Sequence, residues 1–222
     1  MIQFTNVTKH FKKNWAVLEN ITFSIDRGEF VFVTGKSGAG KSTLLNHMYM
    51  KLLPTSGEVV VDSFSSCLAR KKEIALLRRK VGMIFQEFLL LNDRNVYENI
   101  ALPLRLAGLS EDEIRKRTLK ILSYTSLSHK MQEQVTYLSS GEKQRICIAR
   151  ALVNDPLLIL ADEPTGNLDK ENSDEIISLL QNIHGQGTAI VMATHNTDLV
   201  ASRPFRRIHL ENGRMPDTVA EH

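Results

Sequence analysis

The pattern of apolar and polar positions predicts strands in the first third of the chain. Short apolar or alternating runs that end at polar turns are typical of strands, and they occupy residues 2–7, 16–25, 29–34, 57–61 and 81–85. A helical pattern at 43–48 interrupts this series. The first third therefore reads as a strand-rich region that contains one helix.

From about residue 87 to 155 the pattern predicts helices instead. Ser110 precedes Glu113 by three residues, which is the spacing of a capping box that opens a helix. The apolar residues that follow share one helical face, namely Ile114, Ile121 and Leu122. We expect an inserted helical subdomain over about 87–155, within a single domain that spans 1–222.

The last third combines continuous apolar runs with a helical stripe. The runs 157–161 and 188–193 are typical of parallel strands that are buried on both faces. Between them, apolar residues recur at helical spacing, at Ile176, Leu179, Leu180 and Ile183. The predicted fold class is α/β with a mainly parallel sheet.

The segment 35–42 reads Gly-Lys-Ser-Gly-Ala-Gly-Lys-Ser and matches the phosphate-binding pattern G-x-x-x-x-G-K-[ST]. It lies between a predicted strand and a predicted helix, so its amide groups and the helix N-terminus can surround phosphates. Lys41 is placed to reach the β- and γ-phosphates, and Ser42 can offer its hydroxyl to Mg²⁺. We predict nucleotide contacts from Gly35, Ser37, Gly38, Ala39, Gly40, Lys41, Ser42 and Thr43.

Two acids end the apolar run at 158–161. Asp162 suits a Mg²⁺ contact through Ser42 and water, because hard cations prefer oxygen ligands. Glu163 is a candidate to orient or deprotonate an attacking water molecule. An Asp-Glu pair alone could be two surface acids. Together with the upstream phosphate-binding segment 35–42, which we call the P-loop, it predicts ATP hydrolysis.

The segment 138–145, Leu-Ser-Ser-Gly-Glu-Lys-Gln-Arg, resembles the signature motif of ABC-type ATPases, usually written Leu-Ser-Gly-Gly-Gln. Other motifs of that family are matched in family order over residues 1–214. The resemblance implies a P-loop NTPase core with an N-terminal antiparallel β subdomain and an inserted helical subdomain. It assigns roles to further residues: Gln86 in the Q-loop as a catalytic and Mg²⁺ residue, His195 as the switch histidine, Ser139 and Gly141 as nucleotide contacts, and Phe11, with Trp15 as a substitute, as the adenine platform.

Each of these residues also has an ordinary interpretation when it is considered alone. A lone histidine after a strand, such as His195, is more often structural than catalytic. A lone phenylalanine, such as Phe11, is more often a core residue than a base platform. The joint occurrence of the motifs in one order is what favours the functional interpretation.

The signature departs from the family pattern at Ser140, which replaces glycine, and at Glu142, which replaces glutamine. In family members this segment contacts the γ-phosphate that the partner subunit holds. The Ser140 side chain would crowd that approach, and Glu142 would add negative charge near an anion. We therefore expect weaker or slower ATP-driven dimerisation.

One P-loop and one signature per chain imply, by the resemblance, a head-to-tail homodimer that forms on ATP binding and buries two ATP molecules. No apolar stretch approaches the roughly 18 residues of a membrane-spanning helix. The resemblance implies a peripheral place at the cytoplasmic face of the bacterial inner membrane, through an integral membrane subunit. The apolar stretch 87–99 is either the groove for that subunit or packing between subdomains.

Composition adds few constraints. Hydrophobic residues make up 42% and charged residues 24%, as in ordinary soluble proteins, and the formal net charge is +3. The basic clusters are read as solvated surface or a face against anionic lipid. No nucleic-acid partner is predicted, because stacking aromatic residues are not interleaved with the clusters. Cys67 and Cys147 are expected to be free thiols in a reducing compartment.

Within the family, the runs 91–104, 160–169 and 192–195 resemble ATPases that act with a membrane protein in cell division. Members that power lipoprotein release or macrolide and peptide export share the Pro-Thr-Gly-Asn-Leu-Asp segment at 164–169, so that role stays open. A soluble ABC ATPase that acts on DNA or ribosomes is another alternative. Such proteins usually carry two ATPase units or a long coiled coil, and this sequence shows neither feature. A nucleotide-binding scaffold without hydrolysis is a further alternative, which the altered signature keeps open.

Overall fold

The structure is a computed structural model that describes residues 1–12 and 15–216. Its strands are β1 Ile2–Lys12, β2 Trp15–Ile25, β3 Phe30–Thr34, β4 Ser56–Val61, β5 Phe64–Ser65, β6 Val81–Ile84, β7 Leu158–Asp162, β8 Ala189–Ala193 and β9 Arg206–His209. Its α-helices are α1 Lys41–Met48, α2 Lys71–Lys80, α3 Val96–Ala107, α4 Glu111–Tyr124, α5 Ser140–Leu152, α6 Lys170–Gly185 and α7 Thr197–Ala201.

The strands form two sheets. One is antiparallel and has the order β2-β1-β4-β5, and the other is parallel and has the order β6-β7-β8-β3-β9. The predicted α/β class with a mainly parallel sheet is therefore confirmed.

Strand β3 shows why the apolar runs are continuous. Val31 and Val33 lie in a core that the two sheets share with α1, whereas Phe30 and Phe32 lie in a second core with α5 and α6. Because successive side chains of a strand point to opposite faces, a strand with a core on each side has no polar position to alternate with.

Several elements were not predicted from the sequence, and α2 and β9 are the instructive ones. Helix α2 buries only Leu77, and its basic ends were read simply as charge clusters. Strand β9 is at the edge of the parallel sheet and buries only Ile208. An edge strand needs few apolar residues, since one side of it faces solvent. The two arginines of β9 therefore gave no strand pattern in the sequence.

A third apolar core lies among α3, α4 and α5. Helix α5 belongs to two cores, because Ile146 and Ala149 face the third core while Ile148 faces the second. We infer that this third core is that of a helical subdomain over about 87–155, which α5 joins to the parallel sheet.

The capping box expected at Ser110 forms only in part. Ser110 Oγ accepts a hydrogen bond from the Glu113 N–H group at 3.5 Å, but the Glu113 carboxylate pairs with Arg117 at 2.6 Å. A complete box, which the sequence reading missed, opens α3 between Asn95 and Glu98. An arginine at i+4 competes for the carboxylate that a capping box requires.

In the described part of the chain no helix is long and apolar enough to cross a bilayer. Both cysteines are free, Cys67 exposed and Cys147 buried. Burial raises the pKa of the Cys147 thiol to about 11, against an opposing effect of Arg150.

Candidate active site

The strand order of the parallel sheet brings the predicted site residues together at the carboxyl ends of its strands. Strand β3 lies between β8 and β9, and β7 lies between β6 and β8. Because the strands are parallel, the segments that follow β3, β6, β7 and β8 all leave the sheet at their carboxyl ends, where ligands bind in folds of this type.

The P-loop follows β3 and depends on its glycines. Gly40 has a φ of 104°, and a Cβ atom there would lie 2.8 Å from Leu18 Cδ2 and 2.9 Å from the Val17 carbonyl oxygen. Gly35 has a φ of 142°, and a Cβ atom there would collide with the Leu210 carbonyl oxygen. Only glycine satisfies both the backbone conformation and the close approach of the neighbouring chain.

The loop ends at the N-terminus of α1, and no side chain caps this terminus. The first-turn N–H groups of a helix lack partners within the helix, so an uncapped terminus is suited to an anion. Lys41 Nζ donates to the carbonyl oxygens of Gly35 at 2.8 Å and Lys36 at 3.2 Å. The loop thus holds the ammonium group beside the helix terminus.

The other predicted P-loop contacts differ in exposure. Ser37, Gly38 and Ser42 are exposed, Thr43 is half-buried, and Ala39 and Gly40 are buried. The buried pair packs against the chain near Leu18 and Gly213. These two residues can reach a phosphate only through their backbone N–H groups.

Ser42 and Asp162 meet as the sequence predicted. Ser42 Oγ donates to Asp162 Oδ1 at 3.0 Å. Burial raises the pKa of the Asp162 carboxyl, and the charge of Glu163 adds to this, against the hydrogen bond from Ser42 and the charge of Lys41. A buried carboxylate beside a hydroxyl favours a hard cation, because a cation neutralises the charge and accepts both oxygens as ligands. These residues therefore fit Mg²⁺.

Glu163 lies at the centre of the charged groups. Its Oε1 atom is 2.9 Å from His195 Nδ1 and 3.7 Å from Lys41 Nζ. The Glu163 side chain is only 10% exposed, whereas that of His195 is 66% exposed. The geometry leaves the carboxylate held by two basic groups, one from the P-loop and one from the segment after β8.

The backbone of Glu163 is strained. Its φ is 46°, in the left-handed region that residues other than glycine rarely adopt, and its N–H group donates to the Ala193 carbonyl oxygen at 2.9 Å. Such a conformation persists only where the surrounding structure enforces it, and it is enriched at functional sites. Eight other residues besides glycine have a positive φ in the described chain, among them Met50 and Leu89, so the conformation agrees with a functional role for Glu163 but does not establish one.

Gln86 and Phe11, both predicted site residues, are not joined to this cluster by hydrogen bonds or ion pairs. Gln86 follows the carboxyl end of β6 and is exposed. Within the described chain its side-chain amide makes no hydrogen bond. Phe11 is 53% exposed, with Lys9 Nζ at 5.6 Å from its ring centroid, so the interpretation as a core residue is wrong. Trp15 begins β2, but its side chain falls outside the described residues.

The signature segment opens α5, and its own side chains cap it. Ser139 Oγ accepts from the Glu142 N–H group at 3.2 Å, and Glu142 Oε2 accepts from the Ser139 N–H group at 2.8 Å. Burial opposes ionisation of Glu142, but its hydrogen bonds to Ser139 and the ammonium of Lys130, 3.8 Å away, outweigh this and lower its pKa. In the described chain no hydrogen bond or ion pair joins this segment to the P-loop.

Gly141 has a packing role that the sequence reading did not include. It is buried against α6, where a Cβ atom would collide with the Asn172 side chain. The glycine therefore permits α5 and α6 to approach, whatever further contact it makes. Ser139 and Ser140 are exposed.

The sequence reading also missed the residues that fix the segment after Gln86. Arg150 donates to the carbonyl oxygens of Leu89 at 2.6 Å and Phe88 at 2.8 Å, and Asn99 exchanges hydrogen bonds with the Leu91 backbone. Asn99 is fully buried. The sequence signal for this role was Asn99 itself, a polar residue inside an apolar helical run.

Both interpretations of the apolar stretch 87–99 find support. Phe88 and Leu90 pack against the buried cores, as expected of packing between subdomains. Leu89 is 53% exposed and Leu91 is 40% exposed, as expected of a surface for a partner. Packed and exposed side chains alternate along this stretch, so packing between subdomains and contact with a partner would use different side chains.

Comparison with known proteins identifies the family of the chain. The family model described as ABC transporter matches residues 18–166. The cell division ATP-binding protein FtsE of Streptococcus pneumoniae is 42% identical, with 97% of this chain and 94% of the relative aligned. FtsE of Escherichia coli is 41% identical with 97% of each chain aligned, and FtsE of Mycobacterium tuberculosis is 43% identical over 97% and 94%.

Solved structures show the same fold. The dimeric post-hydrolysis structure of the ATP-binding cassette MJ0796 bound to ADP and Pi has a TM-score of 0.88, 36% identity and 97% coverage of each chain. The cbiO1 protein from Clostridium perfringens, part of the ABC transporter complex cbiONQ, has a TM-score of 0.88, 31% identity and coverage of 96% and 86%. The chain belongs to the ABC transporter family, with the fold and motifs of the family's ATPase subunit.

Proposed function

We propose that the chain binds ATP and hydrolyses it to ADP and phosphate at the edge of the parallel sheet. The observation that carries the proposal is the position of the Glu163 carboxylate, which lies beside Lys41 and His195 and next in sequence to Asp162. No other arrangement in the described chain brings a P-loop, a cation-binding oxygen pair and a buried carboxylate together.

Each residue has a task in this reaction. The P-loop amides and Lys41 bind the β- and γ-phosphates. Ser42 and Asp162, with Gln86, would hold Mg²⁺, which would neutralise phosphate charge. The oxygen of the attacking water forms a bond to the γ-phosphorus, and the bond between the γ-phosphorus and the oxygen that leaves with ADP breaks. Glu163 accepts a proton from that water. His195 orients the Glu163 carboxylate and, with Gln86, senses the γ-phosphate. Phe11 supports the adenine.

The second half of each site comes from another copy of the chain. Ser139 and Gly141 of one copy would contact the γ-phosphate held by the other, in a two-fold homodimer that closes on ATP. The proposal agrees with the observation that, within the described residues, no hydrogen bond or ion pair joins the signature to the P-loop of the same chain. It is also supported by the dimeric MJ0796 structure.

The cellular role that the relatives favour is cell division. Named relatives at 41% to 43% identity are cell division ATP-binding proteins. We place the chain at the cytoplasmic face of the bacterial inner membrane, held by an FtsX-like integral membrane subunit, where ATP hydrolysis would regulate septal peptidoglycan hydrolysis. An ATPase subunit of a lipoprotein-release or macrolide exporter is the alternative.

The variant Glu163→Gln tests the chemistry. We expect it to bind ATP like the unchanged protein, to lose roughly 10² to 10⁴-fold in hydrolysis, the usual contribution of a general base, and to accumulate a dimer with ATP. Phosphate release and sedimentation velocity measure these properties. Near-normal turnover of Glu163→Gln would refute the role of Glu163.

The same variant tests the cellular role. With ATP, tagged Glu163→Gln is used to capture proteins from detergent-solubilised membranes of its own cell, and mass spectrometry identifies them. An FtsX-like protein supports the division role, and an exporter or lipoprotein-release permease moves the function to transport. Recovery of no membrane protein by a closed dimer would contradict both.

A further inference from the structure

The segment that follows β9 lies against the P-loop. Strand β9 pairs with β3 in parallel, with His209 opposite Thr34. The P-loop follows β3 and residues 210–214 follow β9, so both segments leave the sheet side by side at the carboxyl ends of its strands. Backbone hydrogen bonds between Glu211 and Arg214 close the second segment into a turn, which we call the 210–214 turn.

The 210–214 turn holds the start of the P-loop. The Leu210 N–H group donates to the Thr34 carbonyl oxygen at 2.8 Å. The Leu210 carbonyl oxygen lies so close to Gly35 that a Cβ atom there would collide with it. Just before these residues, Thr34 Oγ1 and His209 Nδ1 are 3.0 Å apart. Leu210 therefore contacts the chain on both sides of the peptide bond at which the P-loop begins.

The same turn holds the P-loop a second time, at Ala39. The Gly213 N–H group donates to the Ala39 carbonyl oxygen at 3.2 Å, and the Gly213 carbonyl oxygen accepts from the Glu19 N–H group of β2 at 2.8 Å. Arg214 adds an ion pair with the Glu19 carboxylate at 2.7 Å. The turn thus bridges the P-loop and β2, and Gly213 is bonded to both.

Position 213 requires glycine. The φ of Gly213 is 78°, and a Cβ atom there would collide with the Val17 carbonyl oxygen. The same oxygen lies 2.9 Å from the place that a Cβ atom of Gly40 would occupy. The turn, β2 and the P-loop therefore meet around one carbonyl group, and a side chain at either glycine would push them apart.

We propose that the 210–214 turn is a positioning element of the nucleotide site, which holds the P-loop in its phosphate-binding conformation before ATP arrives. The inference rests on the proposed function, since it concerns how the same site binds ATP. A glycine-rich loop has conformational freedom that a ligand would otherwise have to remove at the cost of affinity. The hydrogen bonds to Thr34 and Ala39 remove part of that freedom when the chain folds, and Gly213 is the positioning residue.

The turn also bears on Lys41. The Gly35 carbonyl oxygen accepts a hydrogen bond from Lys41 Nζ at 2.8 Å, and Lys41 Nζ is 3.7 Å from Glu163 Oε1. A displacement of the turn that moves Gly35 would therefore move the ammonium group that is proposed to bind phosphates. The effect of the turn on ATP would pass through the P-loop backbone and through Lys41.

The test compares Gly213→Ala with the matched control Gly187→Ala. The φ of Gly187 is 96°, and there is open space where its Cβ atom would lie. Gly187→Ala therefore introduces the backbone strain of such a substitution without the collision. Titration with a fluorescent ATP analogue measures the affinity of both variants and of the unchanged protein.

We expect the affinity of Gly213→Ala for ATP to fall about tenfold, roughly the effect of one or two lost hydrogen bonds. Gly187→Ala should stay within about twofold of the unchanged protein, because its P-loop contacts are intact. Turnover of Gly213→Ala at saturating ATP should also stay within about twofold, because a loss of uniform binding raises KM and leaves kcat unchanged. A fall in kcat with an unchanged KM would contradict the inference.

Inorganic tripolyphosphate separates the phosphate side of the site from the adenine side. It is used with Mg²⁺ to displace the fluorescent analogue, and it carries the phosphates without the adenosine. Because the turn is proposed to act through the P-loop, Gly213→Ala should weaken tripolyphosphate about as much as ATP. A loss for ATP alone would mean that the turn acts on the adenine side through β2, and it would overturn the inference.

Thermal melting of each variant checks that it is folded. Where Gly213→Ala does not melt cooperatively, Arg214→Ala replaces it, and Arg27→Ala is the control, since Arg27 is also an exposed arginine paired with an acid, Asp62. We expect Arg214→Ala to lose about two- to threefold in affinity for both ligands, the range of an exposed ion pair. Arg27→Ala should lose nothing, and Arg214→Lys, which can still pair with Glu19, should recover the affinity.

The outcomes separate this inference from the proposed function. If the unchanged protein binds neither ATP nor tripolyphosphate, the proposed function fails. If it binds both and Gly213→Ala binds them as tightly, the function stands and the turn does not position the P-loop. Equal losses in Gly213→Ala and Gly187→Ala would show a general effect of a strained residue and would also overturn the inference.

Discussion

The N-termini of α1 and α5 carry the two halves of the expected ATP site, and they differ in how their free N–H groups are satisfied. Helix α1 has Gly40 as its N-cap and no side-chain cap, whereas α5 has Ser139 as its N-cap and a complete capping box closed by the Glu142 carboxylate. Helix N-termini attract anions. One terminus is therefore open to a phosphate, and the other already holds a negative charge of its own.

This difference indicates a division of labour between the two ends. The P-loop end binds nucleotide within one chain, because Lys41, Ser42 and Asp162 assemble around it without a partner. In the proposed dimer, the signature end would contribute only when a second chain approaches. The Glu142 carboxylate would then compete with the phosphate for the same helix terminus, so closure should be adjustable without loss of nucleotide binding.

The largest effect expected within the comparison comes from Lys41→Ala. It removes a buried ammonium group that is proposed to bind phosphates. We expect ATP affinity to fall about 50-fold, as for one or two charged hydrogen bonds of roughly 1.5–3 kcal/mol. Titration with a fluorescent ATP analogue measures this. Lys120→Ala, an exposed lysine on α4, serves as the control, and equal losses in both variants would contradict the role of Lys41.

The next effect concerns Gly40, the residue that leaves α1 uncapped. Gly40→Ala adds a Cβ atom that meets Leu18 and Val17, and the left-handed backbone adds strain. We expect a loss of about 2 kcal/mol in unfolding free energy, which lowers Tm by roughly 4–8 °C in a chain of this size. Gly108→Ala has a similar φ but open space around it, so its melting temperature should fall less. A larger fall at Gly108 would contradict the packing argument.

Asp162→Asn probes the charge at the P-loop end through pH. The folded pKa of Asp162 is above its ordinary value of 3.8, so the folded chain holds this proton more firmly than the unfolded chain does. The contribution of Asp162 to stability therefore decreases as the pH rises from 3.8 through the raised pKa. Asp162→Asn should melt higher than the unchanged, nucleotide-free protein at neutral pH, and the difference should shrink in acid.

The asparagine variant should also lose stabilisation by ATP with Mg²⁺, because it lacks the anionic oxygen that favours the cation. The melting temperature is measured with and without nucleotide across the acid range. A lower melting temperature of the nucleotide-free variant at neutral pH would show that the Asp162 charge is compensated in the folded chain.

The smallest effects are expected at the signature end. In the Glu163→Gln background, Glu142→Gln keeps a hydrogen-bond acceptor for the cap but removes the charge, and Ser140→Gly removes side-chain atoms. We expect Glu142→Gln to tighten the ATP-dependent dimer about threefold, from the 0.3–1 kcal/mol typical of a charge at a helix terminus. Ser140→Gly should also tighten it, because the removed atoms would crowd the approach of the partner's phosphate. Sedimentation velocity measures the dimer.

Glu133→Gln is the matched control, because Glu133 also pairs with Lys130 but lies outside the signature. It should leave dimerisation unchanged. An unchanged or weaker dimer for both Glu142→Gln and Ser140→Gly would show that these residues do not restrain closure.

The outcome at particular residues shows how far sequence reasoning reached. The strands around the P-loop, the helix that opens after Ser110 and the free state of both cysteines were predicted. Strand β9 was not, because its pairing depends on β3 and not on its own arginines. The hydrogen bonds from Arg150 to the carbonyl oxygens of Phe88 and Leu89 were not predicted either, since the two segments are about 60 residues apart in the chain and meet only through packing.

The sequence by itself determined the chemistry that is local in the chain. A strand, a glycine-rich loop and a helix are contiguous in 30–48, and the acids Asp162 and Glu163 end a strand, so their roles follow from neighbouring residues. Tertiary structure decided which groups meet. The strand order sets β7 beside β8, so that His195 reaches Glu163, and it sets the P-loop close enough for Lys41 to reach the same carboxylate. Such contacts depend on burial and pairing across the whole sheet, and a local pattern carries no record of them.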